Sequence, residues 1–135
     1  MSKLLKYKFS IIIALVITYL SLFKTPKMDL NIAFIDNFDK LVHLVMYAAL
    51  TYSIIKESKI KDKFLTKYFY IFSISTIFGG AMEILQNYFP PRTASWGDFI
   101  ADAIGSALPL VIITFLRIYD YGHKQNGKAD GAEPN

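Results

Sequence analysis

The sequence predicts an all-α fold: a polytopic membrane protein, a four-transmembrane-helix bundle with both termini cytoplasmic. Three observations lead there. The chain is 53% hydrophobic and 19% charged over 135 residues, where a soluble domain carries about 25% charge. Its apolar residues come in blocks without helical or strand period, so they read as faces turned to lipid rather than one face of a soluble core. Its lysines and arginines gather at the ends of those blocks.

The first block, Phe9 to Phe23, is uncharged; Lys3, Lys6 and Lys8 precede it, and Lys24, Pro26 and Lys27 follow. No small-x-small cleavage site follows Leu20 and further apolar blocks come later, so it reads as a retained helix over about 9–27 rather than a signal peptide. The second block, Leu41 to Ile55, predicts a helix over 39–56. The third, Tyr68 to Tyr88, predicts one over 67–89, and the fourth, Asp98 to Leu116, one over 98–118. Their uncharged stretches reach only about 15 residues, whereas a span needs about 20. To cross, the later helices must carry their polar ends into the membrane. Residues 1–121 thus form one domain, and 122–135, rich in Gly, Asn and Lys, read as a disordered cytoplasmic tail.

Counting basic residues by side orients the bundle. One side takes Lys3, Lys6, Lys8, Lys56, Lys59, Lys61, Lys63, Lys67, Arg117, Lys124 and Lys128; the other takes Lys24, Lys27, Lys40 and Arg92. Eleven against four puts the termini inside. The net charge of +4 belongs to this topology, and nucleic acid is not an expected partner. The absence of cysteine excludes disulfides, thiolate zinc sites, iron–sulfur clusters and cysteine nucleophiles.

Acidic residues fall the other way. The start of helix two, the end of helix three and the start of helix four share the outer face, which brings Asp39, Lys40, His43, Glu83, Gln86, Arg92, Asp98 and Asp102 together as a candidate ligand-binding set. Asp39 and His43 stand at i and i+4, Glu83 and Gln86 at i and i+3, Asp98 and Asp102 at i and i+4, so each pair shares a helix face. A charge at mid-membrane costs about 2.5–3.5 kcal/mol on insertion scales, so such faces turn to the bundle interior or a wet cavity. Structural locking by hydrogen bonds accounts for any one of these residues. It accounts less well for the set, because buried ionic networks add little stability over apolar packing.

The loop Pro90-Pro91-Arg92-Thr93-Ala94-Ser95-Trp96-Gly97 stops helix three, and Ser95 is placed to cap helix four ahead of Asp98. Arg92 offers a planar fork for a phosphate or a carboxylate. Trp96, Tyr88 and Phe89 suit an interfacial belt. Ala101 and Gly105 form a small-xxx-small pair, for which Gly79, Gly80 and Ala81 are the expected counterpart on helix three. Pro109 is expected to bend helix four.

Asp39-Lys40-Leu41-Val42-His43, then Glu83-Ile84-Leu85-Gln86, Pro91-Arg92, Ser95, Asp98 and Gly105 resemble the motifs of VanZ-like membrane proteins in order and spacing, over Asp36 to Leu110. Asp102 departs from the family, which usually has Asn there. The resemblance implies a multi-helix bacterial cell-envelope protein; the family is named for a protein linked to low-level resistance to the glycopeptide antibiotic teicoplanin.

Two functions follow as expectations. In the first, an accessory protein of the cytoplasmic membrane binds an envelope lipid or glycolipid headgroup, with Arg92 and Lys40 on its anionic part and Glu83, Asp98 and Asp102 on its hydroxyls or amides. In the second, a membrane enzyme acts on a lipid-linked substrate, with His43, Glu83 and Asp98 as catalytic candidates and Asp39 orienting His43. Glu83, Asp98 and Asp102 are of a type that holds Mg²⁺ or Mn²⁺, but without a recognised metal motif the sequence assigns no metal and no cofactor. Transport is disfavoured because titratable residues crowd one face only.

Overall fold

A computed structural model describes residues 6–22, 35–60, 63–89 and 94–129, with side chains described through His123 and, in the second segment, from Phe38. Four helices fill it: α1 (Lys8–Leu22), α2 (Ile35–Ser58), α3 (Phe64–Gln86) and α4 (Trp96–Ala129). Three have the length and apolar content to cross a membrane, over Phe38–Ser58, Phe64–Gln86 and Trp96–His123. α1 is apolar but has 15 residues, a rise of about 22 Å against a hydrocarbon thickness of about 30 Å. The expected fourth span is thus a shorter helix, and the residues 23–27 that were to complete it lie outside those described.

Local chemistry sets the other ends. α3 starts after Lys63, which holds a left-handed conformation at φ 49°. It stops at Gln86 because the next three N–H groups turn back i to i+3, with Asn87, Tyr88 and Phe89 donating to the carbonyls of Ile84, Leu85 and Gln86 at 3.2, 2.9 and 3.1 Å. α4 starts at Trp96, two residues ahead of the expected 98 and directly behind Ser95, whose carbonyl accepts from Asp98 and Phe99, both at 3.1 Å. At its other end α4 runs to Ala129 instead of 118 and takes in the first part of the expected disordered tail. Tyr119 and His123, at i and i+4, support the extension with a 3.0 Å side-chain hydrogen bond and ring centroids 4.9 Å apart. The helix is continuous through Pro109.

The bundle is inverted relative to a soluble domain. Its exposed residues include Leu15, Phe69, Ile77, Val111 and Phe115, each more than 60% exposed, while His43, Thr51, Ser75, Gln86, Asp102 and Ser106 are almost wholly buried. Water would reverse that arrangement; lipid rewards it. Two apolar clusters flank the buried polar residues. Ile17, Tyr47 and Leu50 join α1 to α2, and Ile55, Ile60, Tyr68, Ile71 and Leu110 gather toward the α2–α3 connection. There Arg117 donates to the Ile60 carbonyl at 2.8 Å and lies over the rings of Phe64 and Tyr68.

The tightest packing, between α2 and α4, depends on a glycine. Any side chain at Gly105 would strike the Leu44 carbonyl of α2. The small-residue face of α4 therefore meets α2 at Gly105, rather than α3 as the pairing with Gly79 and Gly80 predicted. Those two do face α4, but against Asp102 and Phe99.

Candidate functional site

Each of α2, α3 and α4 carries a line of mainly polar residues at four-residue steps. α2 carries Asp39, His43, Tyr47 and Thr51; α3 carries Ser75, Gly79 and Glu83; α4 carries Asp98, Asp102 and Ser106. Four residues advance a helix by about 6 Å and slightly more than one turn, so each set holds nearly one line down its helix. The three lines face one another, and from His43 onward the described members are buried.

His43 is the centre. Its Nδ1 stands 2.9 Å from Asp102 Oδ1 and 3.9 Å from Glu83 Oε1. The side chains of His43, Glu83 and Asp102 are 2%, 7% and 0% exposed. Glu83 Oε2 accepts the Ser95 N–H at 2.8 Å, which ties the carboxylate of α3 to the entry of α4. Asn87 repeats that link when its Oδ1 accepts the Ala94 N–H at 3.0 Å. Asp98 is buried as well, and Asp39, His43 and Asp98 form a second group with ligand atoms within 4.8 Å of one another. The Lys40 side chain lies across Gly97, the residue before Asp98, close enough that a Cβ on Gly97 would stand 2.6 Å from Lys40 Cε.

Five of the eight residues chosen from sequence therefore lie together: Asp39, His43, Glu83, Asp98 and Asp102, with Lys40 beside them. Gln86 is buried but turns to α1, where its Nε2 donates to the Ser21 carbonyl at 3.2 Å. Arg92 lies outside the described residues. The orienting partner of His43 also differs from expectation. Asp102, reaching across from α4, makes the hydrogen bond that Asp39, one turn away on the same helix, was to supply.

Sequence reasoning missed the deeper members. Tyr47 is fully buried, one helical turn beyond His43 on α2. Thr51 donates to Ser75 at 3.1 Å, about 12 Å further along α2 than His43. The hydroxyls of Tyr47 and Ser106, with Glu83 Oε1 and Asp102 Oδ2, are buried without a hydrogen-bond partner among the described residues. The repeat itself was the available signal: continuing the steps from Asp39 to His43 and from Asp98 to Asp102 arrives at Tyr47, Thr51 and Ser106.

A separate polar contact lies toward the other end of α2. Glu57 accepts the N–H groups of Phe9 and Ser10 at 2.9 and 3.1 Å and the Ser10 hydroxyl at 2.5 Å, so α2 caps the start of α1.

The family model described as VanZ/LLP1 matches residues 4–117. The chain belongs to the VanZ/LLP1 family. With its apolar spans it is a VanZ-type membrane protein. No curated protein matches it, and no solved structure does. Of the residues that carry the VanZ-like pattern, Asp39, His43, Glu83 and Asp98 meet in space, and the hydrogen bond to His43 comes from Asp102.

Proposed function

We propose that this protein lies in the cytoplasmic membrane with both termini inside and binds the headgroup of an envelope lipid or glycolipid at the outer leaflet, as an accessory protein of the envelope or of the response to teicoplanin-type glycopeptides. One observation carries the reading. His43, Glu83, Asp98 and Asp102 form a buried polar cluster at one end of a bundle whose outer surface is apolar, which is the arrangement that a headgroup at the membrane boundary with acyl chains along the helices would meet. The basic-residue count puts that end outside, and Lys40, whose side chain lies against Gly97, with Arg92 between α3 and α4 in the sequence, would hold the anionic part of the headgroup. Native nanodiscs test the proposal: wild-type protein should retain a lipid class that Arg92→Ala and Glu83→Gln lose. The same lipids on all three proteins would overturn it.

The His43–Asp102 hydrogen bond favours a second reading, an enzyme acting on a lipid-linked substrate with His43 as general base. Turnover of such a substrate that survives the combined His43→Ala and Glu83→Gln changes would remove these roles.

A further inference from the structure

We infer that His43, Glu83 and Asp102 form a binding site for one divalent transition-metal ion, of which Zn²⁺ is the best match. This assignment differs from the all-carboxylate set that the sequence made conceivable, since His43 replaces Asp98 among the ligands.

Geometry comes first. One ligand atom from each of the three residues lies within 4.8 Å of the other two, and all three residues are buried. Donors around a tetrahedral zinc, each at about 2.0–2.2 Å, stand about 3.3 Å apart. The separations from His43 Nδ1 to Asp102 Oδ1 and Glu83 Oε1, 2.9 and 3.9 Å, bracket that spacing, and the third, between the two carboxylates, is within 4.8 Å, so the set closes on an ion by side-chain movement alone.

A second, independent observation points the same way. Glu83 Oε1 and Asp102 Oδ2 are buried and lack hydrogen-bond partners among the described residues, and so do the Tyr47 and Ser106 hydroxyls one helical step further along α2 and α4. Leaving one buried acceptor unsatisfied costs about 1–3 kcal/mol, and more when it is charged. Two carboxylates and a neutral imidazole around a dication sum to zero charge, the arrangement that a low-dielectric interior tolerates best. The rest of the cluster fits as support. With Nδ1 on the ion, the other ring nitrogen is left for Asp39 or Asp98, both grouped with His43, and metal-bound histidines almost always donate their second N–H to such a partner.

The chemistry of the donors selects the ion. Imidazole suits zinc, copper, iron and nickel, whereas Mg²⁺ and Ca²⁺ prefer all-oxygen sets. Three protein ligands leave a fourth position open, as in zinc sites that polarise a bound group. In the headgroup reading, from which this inference takes only the use of the ion, the open position would accept a phosphate oxygen.

The ion is tested without any lipid substrate. Full-length protein in nanodiscs, stripped by chelation, is titrated with Zn²⁺ and then with Co²⁺. About one Zn²⁺ per chain is expected, undisturbed by Mg²⁺ at high excess, with the intense visible bands of four-coordinate Co²⁺. Glu83→Gln and His43→Gln should each weaken Zn²⁺ binding by about 100-fold or more, and Glu57→Gln, remote from the site, should leave it unchanged. Failure of the wild type to take up Zn²⁺, octahedral Co²⁺ bands, or binding within about threefold of wild type in both folded site variants would each overturn the inference. Should the site variants not fold, the wild-type stoichiometry and Co²⁺ spectrum decide alone. Zinc uptake without lipid discrimination would reject the headgroup reading and keep the ion, and lipid discrimination without zinc uptake would do the reverse.

Discussion

His43 Nδ1 and Asp102 Oδ1 meet at 2.9 Å across 59 residues of sequence, between two side chains that are 2% and 0% exposed. The contact joins α2 to α4, the most closely packed pair of helices, and lies one helical step from Gly105, where the α4 backbone approaches Leu44. Ligand chemistry and helix docking thus share one seam. A change there has two consequences that the right pair of variants separates.

The first prediction uses that separation. Asp102→Asn keeps the shape and an acceptor for an imidazole N–H. It should fold in good yield and lose less than about 1.5 kcal/mol of stability. Asp102→Ala removes the partner and leaves His43 buried alone, which costs about 3–5 kcal/mol when the pair is charged. Unfolding of the two variants in matched detergent measures the difference. Equal loss in both would mean that the carboxylate charge, which Asn and Ala both lack, carries the stability at this position rather than shape or a neutral acceptor.

Gly105→Ala is the second. A Cβ there would collide with the Leu44 carbonyl, and backbone cannot rotate away as a side-chain end can. Overpacking of this kind costs about 1–3 kcal/mol. Gly122→Ala on the same helix meets nothing within 4 Å and should be neutral or stabilising by up to about 1 kcal/mol, because Ala is the better helix former. Thermal denaturation in detergent reads both, and indifference at position 105 would contradict the α2–α4 packing.

Glu57 gives the third. It caps α1 from the end of α2 through two backbone N–H groups and the Ser10 hydroxyl. Glu57→Ala should raise hydrogen exchange across the first turn of α1, residues 8–12, while the amides of α3 keep their protection. Unchanged exchange there would show that α1 holds its start without this carboxylate.

These contacts also show what the sequence displayed. The blocks around Leu41, Tyr68 and Asp98 were legible because lipid demands long apolar runs, and the i, i+4 pairs on α2 and α4 were legible because helix geometry alone places them on one face. Three-body relations were not legible. Nothing in Gln86 distinguishes a ligand from a donor to the Ser21 carbonyl, since the choice depends on where α1 docks. Asp39 was the natural partner for His43 by local spacing, and Asp102 displaced it only because Gly105 lets α4 come so near to α2. Glu57 carried no local sign of its role, because the helix start that it caps lies 47 residues earlier.

The last prediction concerns direction, on which the outer-leaflet assignment depends. The chain has no native cysteine, so single introduced thiols report position without background. Lys59 follows α2 directly, and Ala94 lies just ahead of α4, at opposite ends of the spanning helices; both are exposed. If four helices cross with both termini inside, eleven basic residues lie on the Lys59 side and four on the Ala94 side, and Ala94→Cys should then react with a membrane-impermeant maleimide in intact cells, and Lys59→Cys only after permeabilisation. The reverse pattern would turn the His43 cluster toward the cytoplasm. A headgroup site there would draw on inner-leaflet lipids, and a metal ion held by Glu83 and Asp102 would be supplied from the cytoplasmic pool.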